Sequence, residues 1–139
     1  MHLNLKEIPF EEKYYDKKEK MKNDDLDYLE YETANIFMKG ACDIFAYCLK
    51  NKYSNYDIYY AKCLDNGKCH YFCVSDNKYI DARGIYNSID EGLKHLNSQK
   101  IKKNIIDNYK VDFEYEWIKT LINFADELIR NYDSKYKVS

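Results

Sequence analysis

Pro9 is the only proline in this chain of 139 residues, and no linker, internal repeat or low-complexity tract interrupts it. That absence excludes a beaded or fibrous architecture, so residues 1–139 read as one domain, large enough to bury a core without disulfide or metal staples. Long apolar runs are also lacking, and no stretch approaches the roughly 20 residues that cross a bilayer. An excess of one charge is missing too: 22 Lys and Arg stand against 24 Asp and Glu, interspersed, for a net charge of -2. Such a balance offers no electrostatic reason to expect nucleic acid or an anionic membrane as a partner, and the Lys-rich run at Lys100–Lys103 reads as a solvated face. The first residues, Met1 to Glu7, lack the apolar centre of a signal peptide. Five cysteines at irregular spacing make an odd number, which suits a reducing compartment, so the expected location is cytoplasmic.

What the chain does have is aromatic residues, 17% of the total, with 16 Tyr and 6 Phe. They supply apolar area enough to fold a chain that is 33% charged. Residues 1–24 are polar and of mixed charge and read as an exposed helix or a loosely held polar arm; from Asp25 onward Leu26, Leu29 and Ile36 to Met38 supply apolar positions leading to Gly40. A helix is expected over residues 41–51, where Ile44, Phe45, Cys48 and Leu49 form one stripe and Cys48 is a small buried hydrophobe. Two strands over residues 56–64 and 69–74 flank Asn66-Gly67, a strong two-residue hairpin signal, and Asp76-Asn77 turns the chain into a third strand over 79–82. Ser88 and Glu91 make a capping box opening a helix through Leu96. Asp112 is the expected N-cap of a final helix over 112–132, with Trp117, Ile118, Leu121, Ile122, Ala125, Leu128 and Ile129 on its core face. The fold class is α+β, a nucleophile helix packed on a small antiparallel sheet with additional helices toward the C-terminus.

Cys42, His70 and Asp81 occur in the order that thiol enzymes use. A thiol attacks as the thiolate, needs a base beside it, and the base needs a third group to orient it. Cys42 falls in the first turn of its helix, where free amides and the helix dipole favour a thiolate and lower its pKa. If Asp76-Asn77 is a two-residue turn, Phe72 stands opposite Asp81, and His70 shares their face on the diagonal. Asp81 then holds one imidazole nitrogen while the other faces Cys42.

Gly40-x-Cys42-x-x-Phe45-Ala46, then His70-x-Phe72-x-Val74, then Tyr79-Ile80-Asp81-Ala82-Arg83-Gly84 resembles the core of the transglutaminase-like branch of the papain-like cysteine enzymes, over residues 40–84. The resemblance implies Cys42 as nucleophile, His70 as general base and acid, and Asp81 as the orienting carboxylate. The Cys42 to His70 interval is short for that superfamily. Asn35, the nearest upstream amide, is the candidate oxyanion donor. Arg83 is the candidate ligand for a substrate carboxylate, with a structural ion pair as the plainer alternative.

A zinc site at Cys63, Cys69, His70 and Cys73 is disfavoured, because the spacing lacks a knuckle and alternation turns Cys69 and Cys73 away from His70. No metal or other cofactor is expected. Cys63 is expected opposite His70 across the Asn66-Gly67 hairpin, and His95 is expected exposed in mid-helix. The function expected is cysteine-dependent amide processing through a thioester at Cys42, by a protease, a glutamine or asparagine deamidase or a transglutaminase, acting on a protein or peptide. The alternative is a non-catalytic protein-interaction module, an inhibitor or adaptor, on the same scaffold. Oligomeric state is left open.

Overall fold

The computed structural model describes residues 35–138, and the expected polar arm over 1–24 and the apolar positions Leu26 and Leu29 lie outside them. The fold is α+β: helix α1 (Cys42–Lys52), strands β1 (Asp57–Cys63), β2 (Cys69–Ser75), β3 (Lys78–Asp81) and β4 (Gly84–Tyr86), helix α2 (Ile89–Leu93) continued by a 3₁₀ turn (Lys94–Leu96), strand β5 (Ile101–Ile106), and helices α3 (Glu116–Asn131) and α4 (Asp133–Tyr136). All strand pairs are antiparallel, in the order β4-β3-β2-β1-β5.

Alternation along the strands sends side chains to two cores. Ile58, Cys73 and Ile80 pack on one face with Ile44, Phe45 and Leu49 of α1 and with Leu121, Ala125 and Ile129 of α3. Ala61, Cys63, Phe72, Val74 and Tyr79 pack on the other, beneath Leu93 and Leu96. Gly40 lets the chain turn into α1, because its φ of +114° is a conformation that L side chains rarely adopt. The C-terminal segment locks onto the sheet: the Tyr136 hydroxyl donates to Ala82 O at 2.7 Å, and Val138 N donates to the Tyr56 hydroxyl at 2.8 Å.

Several local expectations change. Ser88 does cap α2, accepting from Glu91 N at 3.2 Å, while the Glu91 carboxylate reaches back to Asn87 N at 3.2 Å. The last helix starts at Glu116 behind Tyr115; Asp112 instead closes a turn before it, accepting from Glu114 N at 2.9 Å. Trp117 is consequently at the exposed start of the helix, 40% accessible, and not in the core. The run from Lys100 to Lys103 enters strand β5, whose lysines are solvated as expected, but whose backbone pairs with β1. Lysines on such an edge discourage further strand addition. Strand β4 carries no side-chain alternation long enough to read, being three residues in a tight return.

The hairpin between β1 and β2 is wider than a two-residue Asn66-Gly67 turn. Cys63 N donates to Lys68 O at 2.8 Å, so four residues form the loop. This displaces the register by two, and Ala61, not Cys63, stands opposite His70. A shift of two preserves the faces, so Cys63 still packs on the His70 side of the sheet.

Gly92 packs directly on the second core, for a Cβ there would stand 2.3 Å from the Tyr79 ring. Gly92→Ala is expected to destabilise the protein by about 1–3 kcal/mol through overpacking. A urea unfolding curve with unchanged slope and a lower midpoint is the measurement that checks it.

Candidate functional site

The Asp76-Asn77 turn sets the site. Both residues have positive φ, 52° and 60°, as a two-residue type I′ turn requires, and Ser75 pairs with Lys78, Val74 with Tyr79 and Cys73 with Ile80. Continued one step, this register puts Phe72 opposite Asp81 and His70 diagonal to it. The side chains meet as the register demands: His70 Nε2 lies 3.1 Å from Asp81 Oδ2, with His70 1% and Asp81 3% exposed.

Asp81 is the centre of a dense cluster. It accepts from the Tyr79 hydroxyl, from Arg83 N at 2.8 Å and from Arg83 Nη2 at 2.6 Å, besides His70. Burial by itself would raise its pKa, but hydrogen bonds from His70 and Arg83 and the guanidinium charge outweigh that and hold it at about 2. An ionised carboxylate only accepts hydrogen bonds, so we assign the proton of neutral His70 to Nε2. Nδ1 is then the basic nitrogen, and it makes no hydrogen bond among the described residues.

Arg83 is committed to structure. Besides Asp81, its Nη2 donates to Gly92 O at 2.7 Å and to the Tyr79 hydroxyl at 3.2 Å, and its guanidinium lies 4.7 Å from the centre of the Tyr86 ring. The ion-pair alternative thus describes what this side chain does. His95 departs further from expectation: it is half-buried in the 3₁₀ turn, its Nδ1 lies 2.9 Å from Gly92 O, and its ring meets that of His70 edge-on at 4.9 Å. Burial, and then the positive charge of Arg83, push its pKa down to about 4. The lone glycine inside the predicted helix was the one signal in this segment of a close approach.

Cys42 arrives from the other side of the sheet. In a two-residue hairpin the residues flanking the turn exchange hydrogen bonds, and the alternation carries that role from Ser75 to Cys73 and Tyr71. The Tyr71 N–H therefore points toward β3, which has already turned away at Asp81 and Ala82. Cys42 Sγ occupies the vacated place and accepts from Tyr71 N at 3.4 Å. It sits at the level of the sheet, beside the residue that follows His70, on a narrow crevice lined by Phe37, Phe45, Tyr71, Asp81 and Ala82. Among the described residues no hydrogen bond joins Cys42 to His70.

The thiol is not activated by its helix end in the way expected. Burial pushes Cys42 up to about 11, the Asp43 carboxylate adds to the rise, and the amides of Tyr71 and Asp43 oppose it without prevailing. No side chain caps the first turn of α1. Asn35 lies in the turn before it, where its carbonyl accepts from Met38 N at 3.1 Å; its side-chain amide makes no hydrogen bond among the described residues. Cys73 Sγ donates to Ala46 O at 3.4 Å on the α1 face, whereas Cys63 packs on the opposite face and Cys69 is exposed, so the cysteines of the rejected zinc site diverge. Cys48 is buried, as expected of a small hydrophobe.

The buried groups make stability depend on pH with a definite sign. Asp81 has a pKa of about 2 folded against 3.8 for the ordinary group, so its contribution is complete above pH 4 and drains as pH falls toward 2, by roughly 2 kcal/mol. His95, at about 4 against 6.5, binds its proton more readily when unfolded, so stability falls between pH 6.5 and 4. His95→Gln is expected to flatten the upper part of that decline and leave the lower part, as read from urea midpoints across the series.

Set beside known proteins, the chain matches no family model, no curated protein and no solved structure.

Proposed function

We propose that the protein is a cysteine-dependent amide-processing enzyme on a papain-like scaffold, with Cys42 as nucleophile, His70 as base and acid, and Asp81 as orienter. The observation that carries this reading is that Nδ1 of the wholly buried His70 makes no hydrogen bond among the described residues. A buried ring nitrogen left without a partner is costly unless it has a task, and Cys42 Sγ is held by the N–H of Tyr71, the residue that follows His70. Asp81 keeps Nε2 protonated and the ring oriented, which leaves Nδ1 to take a proton.

With Cys42 a neutral thiol at rest, proton transfer accompanies attack. The Cys42 S–H bond breaks toward His70 Nδ1 as the C–S bond forms at the substrate carbonyl. The C–N bond then breaks, with the proton passing from His70 to the departing amine, which leaves a thioester. Water completes the cycle: His70 removes its proton, the acid is released and the thiol is restored. Uncapped amides in the first turn of α1 suit the developing oxyanion. Hydrolysis is preferred over transfer to a second amine because it requires only water and no second substrate pocket. A protein or peptide amide is the proposed substrate.

A second reading, the non-catalytic interaction module, is favoured by one observation, the high pKa of Cys42. An activated acyl donor separates the two. With p-nitrophenyl acetate near pH 7.5, the enzyme reading expects an acetyl thioester at Cys42 ahead of the exposed Cys69, and a fall of about 10²–10⁴-fold in His70→Ala. Mass spectrometry of the quenched protein reads both. Acylation of Cys69 as fast as Cys42, or indifference to His70→Ala, sinks the enzyme reading in favour of the module.

A further inference from the structure

Beside Cys42, the α1 face of the sheet carries four half-buried side chains that the acyl-transfer chemistry leaves unused. Tyr71 packs against Tyr60 with ring centres 4.8 Å apart and against Tyr109 at 5.2 Å. The Tyr109 hydroxyl donates to Asp43 Oδ2 at 2.5 Å. Asp43 follows Cys42 in the first turn of α1, and Tyr71 supplies the amide that holds Sγ, so this strip borders the sulfur at both its attachments.

The strip has a definite chemical complement. Asp43 makes no ion pair among the described residues. Among the described residues its one side-chain hydrogen bond comes from Tyr109, which leaves acceptor capacity on the carboxylate. Tyrosine rings present electron-rich faces to a cation, and a carboxylate at their end adds a charge of the required sign. An anionic ligand would be repelled there, and a neutral apolar one would cover the carboxylate without compensating it.

We propose that Asp43, Tyr71 and Tyr109 form a subsite for the cationic side chain of a lysine or arginine neighbouring the reacting amide of a peptide substrate. This names a substrate class for Cys42 and to that extent rests on the amide-processing reading. It also couples binding to chemistry. The Asp43 charge works against a thiolate at Cys42, and a bound cation cancels it, so a correct substrate eases the ionisation of its own nucleophile.

The test uses two reagents of matched shape, N-(2-trimethylammonioethyl)iodoacetamide and its neutral isostere N-(3,3-dimethylbutyl)iodoacetamide, at low ionic strength, with modification of Cys42 followed by mass spectrometry. The cationic reagent is expected to react about tenfold faster, the equivalent of roughly 1.4 kcal/mol. In Asp43→Asn the ratio is expected to approach one. Tyr109→Phe, which keeps the ring and removes the hydroxyl that orients Asp43, is expected to give an intermediate ratio and serves if Asp43→Asn does not fold. Equal rates in the natural sequence, a preference that survives in Asp43→Asn, or no modification of Cys42 by either reagent overturns the subsite. Alkylation needs no acyl turnover, so a charge preference without thioester formation refutes the enzyme reading alone, and thioester formation without the preference refutes the subsite alone.

Discussion

The Asp81 carboxylate, 3% exposed and still ionised, is the interaction on which the rest of this half of the molecule depends. A buried charge left unpaired costs several kcal/mol, and the surroundings are built to prevent that. The Arg83 guanidinium supplies the countercharge and its backbone N–H a further hydrogen bond, Tyr79 adds a hydroxyl, and His70 adds a ring N–H. Each donor is then fixed by its own packing. Tyr79 stacks on Phe72 at 4.6 Å and lies against Gly92, and Arg83 binds Gly92 O, so the placing of α2 follows from the needs of one carboxylate.

The same arrangement limits His70 to a single role. With Nε2 committed to a carboxylate that cannot donate, and with the ring flanked by Phe72, Tyr79 and His95, the imidazole has little freedom to turn. The direction of its remaining nitrogen is fixed by the same packing. Cys42 is placed by a different device, the early end of β3, which leaves a strand amide for sulfur to occupy. The two parts of the candidate site therefore come from opposite faces of the sheet. Burial of Cys42 favours the neutral thiol over the thiolate.

Local periodicity carried far where one short-range force dominated. The stripe through Ile44, Phe45, Cys48 and Leu49 marked α1 because burial on one side repeats with the helical turn. The Asp76-Asn77 register was legible because a two-residue turn leaves one way to pair the flanking strands. Where two local signals competed, the reading failed. Asn66-Gly67 suggested a tight turn, but the chain uses a four-residue loop, with Asn66 Nδ2 donating to Leu96 O at 2.9 Å, a contact between segments distant in sequence. Asp112 had the chemistry of a cap, but the helix began four residues later. Strand β5 was hidden because its side chains are mostly solvated; only pairing with β1 makes it a strand.

The sequence by itself determined the α+β class, helix α1, the three central strands and the meeting of His70 with Asp81. All of these follow from spacing along the chain, where backbone geometry converts residue number into direction. The tertiary structure decided what spacing cannot express: that Arg83 serves Asp81, that His95 packs against His70, and that Asp43 ends a row of tyrosines. It also decided the ionisation of Cys42. A helix end favours a thiolate, but desolvation depends on every neighbour that excludes water, and those neighbours are brought together only by the fold.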